Sequence, residues 1–324
     1  MLRFFHPRYL RNNVLLVSEI RGGNHAVCTA NQSFVPTRPS TSAVMSSDLD
    51  ITKCFEFAKE LTLQAGKLLK CGFEAEKIVE RKEAEWDFVT DFDQRIEKMF
   101  IDGLSEEFPD HIIVAEEAAG ATGKVPELTD APTWLIDPID GTLNFVHTFP
   151  HACISVGLTV RKEPVLGIVY NPMNSELYTA IKGEGAFLNG KPICTSKVTE
   201  LKNAVQAFEM TGSKHKDIYM GRLEALLGAT QATRSVGSAA LDMAYVARGA
   251  VDCFHMDGLK VWDVAAGTLI VREAGGTVID TKGGVYNIMK PNTVAAANET
   301  LAREMSKLIV DTDLKTQRRR LKRT

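Results

Sequence analysis

The stretch WLIDPIDGTLNF, residues 134–145, places two aspartates directly after an apolar run. The apolar start predicts a buried strand, and a buried carboxylate costs free energy unless a partner offsets it. Pro138 favours an extended conformation at Asp137 and lacks a backbone donor, and the chain then turns. Asp137, Asp140 and the Ile139 carbonyl offer three hard oxygen ligands, which suit Mg²⁺.

The residues after this strand point to a phosphate. Asp140, Gly141 and Thr142 can open a short helix, whose free N–H groups and positive dipole end favour an anion. Gly141 also lets the backbone approach a ligand closely. A single pair of aspartates is equally compatible with an Asx turn and a helix cap, so other acids must distinguish the two interpretations.

Acids occur at other strand-like ends. Glu116 and Glu117 end the run IIVA, and Asp263 opens the helix-like segment VAAGTLIVREA. Asp263 by itself could be a helix N-cap. Several carboxylates that converged in space would repel one another, and a cation would then be required. The sequence therefore predicts a metal site if these acids meet.

The remaining sequence mixes two periodicities. Apolar residues at helical spacing predict helices over residues 51–72, about 90–107 and 299–311. Short β-rich runs separated by turn residues predict an antiparallel meander over residues 152–195. Strand-like and helix-like segments alternate after about residue 204. This mixture predicts an α+β class with layered packing.

Composition narrows the class of partner. The net charge of −3 over 324 residues argues against a general nucleic-acid binder. No apolar run approaches the roughly 18 residues that span a bilayer. The six cysteines show no CxxC pairing, which predicts reduced thiols in a cytosol-like compartment.

Both ends of the chain differ from its middle. Residues 1–49 are rich in arginine and contain one early acid, Glu19, which predicts a disordered leader with Met45 as an alternative start. The same composition fits a mitochondrial transit peptide, so we predict a cytoplasmic protein with mitochondria as the alternative. The basic run within residues 312–324 predicts a solvated tail.

Two long motifs carry a resemblance to a known family. Residues 134–150, WLIDPIDGTLNFVHTFP, and residues 262–276, WDVAAGTLIVREAGG, resemble the signature motifs of the inositol monophosphatases. The segments IVAEE, DFVTDFD, KGEGAFLNGK and RSVGSAA match in order and spacing. The resemblance covers roughly residues 50–310, and it marks residues 50–311 as an inositol-monophosphatase-like catalytic domain. A lone D-x-x-D would not be specific, but the two long motifs together are.

The resemblance implies a layered αβαβα sandwich with mixed, largely antiparallel sheets. It implies a homodimer, two or three Mg²⁺ ions in each active site, and inhibition by lithium. The implied activity is hydrolysis of inositol monophosphates to myo-inositol and phosphate by metal-activated water, in inositol recycling and phosphatidylinositol signalling. Another small monoester, such as a sugar phosphate, histidinol phosphate or a nucleotide bisphosphate, is the alternative substrate. A catalytically silent regulatory binder is less favoured because every metal position is filled.

The resemblance also implies roles for individual residues. Asp93 and Thr142 would orient the attacking water, together with a metal ion held by Glu116. Lys82 would belong to a mobile loop near the site. The implied metal ligands are Glu116, Asp137, the Ile139 carbonyl, Asp140 and Asp263. The phosphate and the rest of the substrate would meet several of these residues and also Gly141, Thr142, Gly237, Ser238 and Ala239.

Three positions depart from the family pattern. Leu143 stands where the family often has a second threonine, and Ala115 replaces a glycine. Met256 aligns with a family glutamate, and a thioether is a weak acceptor for substrate hydroxyls. We therefore predict that the neighbouring Asp257 enters the pocket, by a swing or a shift of one residue. The alternative is that Asp257 only begins a turn with Gly258.

Overall fold

The computed structural model of the chain describes residues 49–82, 88–209 and 216–321. Predictions about the leader up to residue 48 and about the last three residues lie outside these ranges. No helix within the ranges has the length and apolar content that crossing a membrane requires. Cys54, Cys71, Cys153 and Cys253 form no disulfide within these ranges.

The described chain contains helices and strands in mixed order, with five successive strands in its middle. The helices are α1 (Ile51–Phe73), α2 (Asp91–Glu107), α3 (Glu116–Thr122), α4 (Thr142–Val146), α5 (Lys216–Ala229), α6 (Ala239–Ala247), α7 (Val261–Glu273) and α8 (Glu299–Leu321). The strands are β1 (Val79–Arg81), β2 (Phe88–Thr90), β3 (Ile112–Ala115), β4 (Thr133–Asp140), β5 (Cys153–Val160), β6 (Glu163–Asn171), β7 (Glu176–Ile181), β8 (Gly185–Leu188), β9 (Lys191–Ile193), β10 (Val205–Phe208), β11 (Ala232–Arg234), β12 (Cys253–Asp257), β13 (Thr277–Asp280) and β14 (Asn292–Ala296).

The strands form two large sheets and one short hairpin. The first large sheet has the order β3-β4-β5-β6-β7-β8-β9, and only its β3–β4 pair is parallel. Its strands β5 to β9 are the meander that the sequence predicted. The second sheet has the order β11-β10-β12-β14-β13, with β10 parallel to both of its neighbours. Strands β1 and β2 form the hairpin.

The layers follow from which side chains share a core. Helices α1 and α2 cover one face of the seven-stranded sheet, where Trp134 and Ile136 point towards them. Helices α6 and α7 lie between the two sheets, and Leu135 points to that side. Helices α5 and α8 contribute to the core that covers the outer face of the five-stranded sheet. The result is the αβαβα sandwich, in which β4 is buried on both faces.

Two glycines bring α7 unusually close to the sheet. A Cβ atom at Gly167 would lie 2.7 Å from the Ala266 carbonyl oxygen, and one at Gly157 would lie 2.9 Å from the Ala265 Cβ atom. Real side chains cannot occupy that space, so glycine is required for this packing. The close approach fixes the N-terminus of α7, and with it Asp263, next to the end of β4.

The C-terminal prediction needs a correction. Helix α8 continues to Leu321, so residues 312–321 belong to a helix and are not a separate tail, although their basic side chains are exposed to solvent. Thr316 lies against Gly221 of α5, and Arg320 forms an ion pair with Asp217. The basic residues of this stretch lie on the last turns of a helix, where positive charge is favourable.

Candidate functional site

A cavity of about 300 Å³ lies where strand ends from both sheets meet helix starts. Two other surface cavities, of about 490 and 380 Å³, are larger, but this one gathers five carboxylates. Its lining residues are Phe88, Glu116, Asp137, Asp140, Gly141, Thr142, Leu143, Glu209, Gly237, Ser238, Ala239, Met256, Gly258, Leu259 and Asp263. The structure therefore brings together most of the predicted site residues.

The end of β4 presents its two aspartates in different ways. Asp137 is only 2% exposed, and its Oδ1 accepts a hydrogen bond from the Ile139 N–H at 3.0 Å. Asp140 is half-buried, and its Oδ2 accepts from the Ser238 hydroxyl at 2.7 Å and from the Ala240 N–H at 2.6 Å. The pairing of β4 with β5 is irregular between these two aspartates, at the position of Pro138.

Asp137, Asp140 and Asp263 form what we call the acid cluster. Desolvation, followed by the negative charges of Glu116 and Asp140, raises the pKa of Asp137 well above its ordinary value. Desolvation and then Asp140 do the same for the pKa of Asp263. Desolvation also raises the pKa of Asp140, to about 6. These mutual shifts place the three carboxylates within electrostatic reach of one another.

Lys82 provides the positive charge nearest to the glutamates. Its Nζ donates to Glu116 Oε1 and to Glu117 Oε1, both at 2.7 Å. Burial by itself lowers the pKa of Lys82, but the two carboxylates outweigh it and raise that pKa. Burial raises the pKa of Glu117 to about 7. No three His, Cys, Asp or Glu side chains of the described ranges stand in a metal-binding arrangement.

Asp93 and Thr142 meet beside the acid cluster. Asp93 is the third residue of α2, and its Oδ2 accepts hydrogen bonds from the Thr90 N–H at 2.7 Å and the Thr90 hydroxyl at 2.5 Å. The Thr142 hydroxyl lies 3.5 Å from Asp93 Oδ1 and donates to the Ile139 carbonyl at 2.9 Å. Burial raises the pKa of Asp93 to about 7, although the bonds from Thr90 oppose the shift.

Gly141 makes the turn between β4 and α4. Its φ of 89° is in the left-handed region, and a Cβ atom there would lie 2.8 Å from the His151 carbonyl oxygen. Asn144 fastens this turn, because its side-chain amide donates to the carbonyls of His151 at 2.7 Å and Val236 at 2.6 Å. The backbone of Gly141 thus faces the cavity at a position where no other residue fits without strain.

The segment from Gly237 to Ala239 forms one side of the cavity. Ser238 is the N-cap of α6, and its hydroxyl accepts a hydrogen bond from the Leu241 N–H at 3.2 Å. The same hydroxyl donates to Asp140, so the start of α6 and the end of β4 are joined directly. The structure places these three predicted substrate-contacting residues next to the acid cluster.

The prediction for Asp257 is wrong, because the structure does not bring this side chain to the cavity. Asp257 forms an ion pair with Arg222 at 2.8 Å and accepts a hydrogen bond from the Thr281 hydroxyl at 3.0 Å. Met256, the preceding residue, lines the cavity instead. Neither the proposed swing nor the one-residue shift occurs.

Two acidic residues near the site were missed by the sequence analysis. Glu97 of α2 is 5% exposed and accepts hydrogen bonds from the N–H groups of Glu117 at 2.7 Å and Ala118 at 2.8 Å, so it holds the start of α3. The sequence indicates Glu97 by its position, because it is an acid one helical turn after Asp93 on the buried face of α2. Glu209 lines the cavity and follows the apolar end of β10. The rule that identified Glu116 would also have identified Glu209.

Comparisons with known proteins agree with this geometry. The sequence model of the inositol monophosphatase family matches residues 50–312. Inositol monophosphatase 2 of Homo sapiens is 42% identical over 262 residues, which cover 79% of this chain and 89% of that protein. Inositol monophosphatase 3 of Solanum lycopersicum is 42% identical over 261 residues, covering 79% of this chain and 96% of that protein.

Solved structures show the same likeness. An IMPase of Thermotoga maritima superposes with a TM-score of 0.73 at 34% identity, over 81% of this chain and 98% of that chain. SaIMPase-II with bound inositol monophosphate superposes with a TM-score of 0.66 at 26% identity, over 83% of this chain and 98% of that chain. Sequence motifs, fold and site thus lead to one conclusion: the chain belongs to the inositol monophosphatase family.

Proposed function

We propose that this protein hydrolyses inositol monophosphates to myo-inositol and inorganic phosphate. The observation that carries the proposal is the acid cluster, whose three carboxylates form no ion pair with a basic side chain of the described ranges. Uncompensated buried acids are costly, so such a cluster is maintained for its chemistry. Family membership indicates a phosphoric monoester hydrolase and a metal-dependent activity.

The donor set fits a hard divalent cation. The acid cluster, Glu116 and the Ile139 carbonyl supply oxygen ligands only, which suit Mg²⁺ better than softer metals. We propose that these residues hold two or three Mg²⁺ ions and that Lys82 leaves Glu116 when they do. Bound Mg²⁺ would supply a low-pKa water and would neutralise charge on the phosphate and the departing oxygen.

Asp93 and Thr142 would position and deprotonate the attacking water. The Thr142 hydroxyl lies between the cavity and Asp93, and it can relay a hydrogen bond from a water to that carboxylate. A pKa of about 7 lets Asp93 accept a proton near neutral pH. Thr90 fixes the orientation of the Asp93 carboxylate through two hydrogen bonds, so this proton acceptor is held in place.

The substrate would be held by the backbone at the start of α4 and by the segment from Gly237 to Ala239. Gly141 and Thr142 line the cavity at the start of α4, so their backbone would contact the phosphate. Gly237, Ser238 and Ala239 would contact the rest of the substrate from the α6 side. Positioning and charge neutralisation account for most of the acceleration in phosphoryl transfer, and these residues supply the positioning.

A phosphate-release assay tests the proposal. Purified protein is given inositol 1-phosphate, a sugar phosphate, histidinol phosphate and a nucleotide bisphosphate, each with Mg²⁺ and with excess chelator. We expect the inositol ester to have the highest kcat/KM and the chelator to abolish turnover. Activity that persists in chelator would contradict the metal mechanism, and preference for another ester would reassign the substrate.

Further properties of the family remain proposals for this chain. We propose inhibition by millimolar Li⁺ that is uncompetitive with substrate, which a kinetic titration with Li⁺ checks.

We propose a homodimer, which analytical ultracentrifugation checks. We also propose a cytoplasmic location, with mitochondria as the alternative, and imaging of full-length and Met45-initiated chains distinguishes them.

A further inference from the structure

The cavity has two chemically different sides. Four of the five carboxylates belong to β4, α3 and α7. The fifth, Glu209 after β10, already accepts hydrogen bonds from the Ser235 hydroxyl and the Val236 N–H. Four large apolar residues from other parts of the chain also line the cavity. Leu143 of α4 directly follows Thr142, and its side chain is 42% exposed. Phe88 belongs to β2. We call the four the apolar wall: Phe88, Leu143, Met256 and Leu259.

The direction of Met256 is fixed by strand register. Strand β12 pairs with β14 over five consecutive positions, from Cys253 opposite Ala296 to Asp257 opposite Asn292, without a bulge. Successive side chains of a strand point to opposite faces, so Met256 and Asp257 cannot both reach the cavity. A slip of one residue would reverse every side chain of β12, which its two buried faces oppose.

An ion pair also holds Asp257 on the face of β12 that points away from the cavity. Arg222 is 4% exposed and binds Asp257 at 2.8 Å. The same guanidinium donates to Asp313 of α8 through Nε at 2.9 Å and through Nη2 at 2.6 Å. Freeing Asp257 would leave a buried guanidinium with one partner fewer, which is costly. The end of β12 therefore presents a thioether, not a carboxylate, to the substrate.

We propose that the apolar wall receives the alcohol part of the substrate and that this protein also hydrolyses phosphate monoesters of apolar ring alcohols. Met256 is the specificity-determining residue, because its side chain cannot satisfy a polyol hydroxyl but gains from apolar contact. The inference rests on the proposed function and extends it to a second substrate class. In the reaction, the water oxygen bonds to phosphorus, the ester P–O bond breaks, and the departing oxygen takes a proton to give the alcohol and phosphate.

Cyclohexyl phosphate and inositol 1-phosphate form a suitable pair of probes, because they share a six-membered ring and differ in hydroxyl groups. Both esters are tested on the wild type, on Met256→Gln and on Met256→Leu with Mg²⁺. Glutamine has nearly the length of methionine and adds a neutral amide, so it can bind hydroxyls without adding charge beside the acids. Leucine is the matched apolar control. Circular dichroism verifies that each variant is folded.

The measured quantity is the ratio of kcat/KM for inositol 1-phosphate to kcat/KM for cyclohexyl phosphate. The intrinsic reactivities of the esters cancel when one ratio is compared across variants. We expect the wild type to hydrolyse cyclohexyl phosphate with a KM no higher than that for the inositol ester. Met256→Gln should raise the ratio by about fivefold or more, and Met256→Leu should keep it within about twofold.

Two results would overturn the inference: a wild type that neither binds nor hydrolyses cyclohexyl phosphate, or a ratio unchanged in folded Met256→Gln. A wild type that hydrolyses neither ester would instead refute the proposed function. In that case calorimetric titration of both esters into the three proteins still tests whether the apolar wall selects the substrate. A binding ratio that shifts only in Met256→Gln supports the apolar wall, and an unshifted ratio refutes it.

Discussion

Two groups of acidic side chains lie at strand and helix ends in this molecule, and they are neutralised differently. In the first, the acid cluster, desolvation raises the pKa of each member and no basic side chain of the described ranges pairs with any of them. In the second, which we call the arginine cluster, Asp257 and Asp313 share the guanidinium of Arg222. Both groups combine several carboxylates with limited access to water.

The difference distinguishes a site from a structural support. In the arginine cluster the protein supplies its own cation, so the acids are satisfied and tie β12 and α5 to α8. In the acid cluster the negative charge is left for a ligand to neutralise, and the protein tolerates the free-energy cost of the uncompensated carboxylates. Acids at strand ends look alike in sequence, but the partner of each acid decides its role. The following experiments test that distinction, from the largest expected effect to the smallest.

Asp140→Asn should have the largest effect on activity. We expect kcat/KM for inositol 1-phosphate to fall by about 10³-fold, because a cation at this site contributes several kcal/mol to the transition state. Phosphate release measures the loss. The metal-free variant should be at least as resistant to urea as the wild type, because it lacks one uncompensated charge. The exposed change Asp130→Asn is the control and should alter neither property.

Arg222→Met should have the largest effect on stability. It leaves Asp257 and Asp313 without their shared cation, and we expect the free energy of unfolding to fall by about 3 kcal/mol. Urea denaturation monitored by circular dichroism measures the change. Arg222→Lys keeps the charge but loses the two-point contact with Asp313, so it should lose less. Equal losses in the two variants would mean that charge contributes little to this cluster.

The pH dependence of the metal-free protein tests the uncompensated charge. The folded-state pKa of Asp140 is raised from 3.8 to about 6, so protonation stabilises the fold. This contribution is fully present below about pH 4 and is lost as the pH rises through about 6. Asp93, with a pKa raised to about 7, acts in the same direction.

We therefore expect urea denaturation in chelator to show stability falling between about pH 4 and 7. Asp140→Asn should make the curve less steep near pH 6, because one titrating group is gone while Asp93 still contributes. A wild-type curve that rises over this range would contradict the assignment of uncompensated acids to this site.

Asp257→Asn should have the smallest effect on catalysis. The side chain points away from the cavity, so KM for inositol 1-phosphate should stay within about twofold of the wild type, which corresponds to about 0.4 kcal/mol. Stability should fall, because a charged partner of Arg222 is lost. A tenfold rise in KM without a loss of stability would mean that Asp257 does reach the substrate.

The sequence predicted the α+β class, the helices α1 and α2, the meander and the clustered acids. These features were predictable because they depend on local patterns: apolar periodicity, turn residues, and acids that recur where strand-like runs end. The αβαβα layering and the residue roles came from the resemblance, whose long motifs coincide with β4, α4 and α7. Glu97 and Glu209 were missed although their positions followed the same rules, since neither lies in a signature motif.

Other features were decided only by tertiary structure. Residue type and spacing do not reveal which face of β12 meets the cavity, because that depends on pairing with β10 and β14. Arg222 lies 35 positions from Asp257 and 91 from Asp313, so the charge that holds Asp257 away was not visible as a local pattern. The helical continuation to Leu321 likewise depends on contacts with α5. Local patterns thus fixed which elements form and where the acids stand, and long-range pairing fixed which side chains face the substrate.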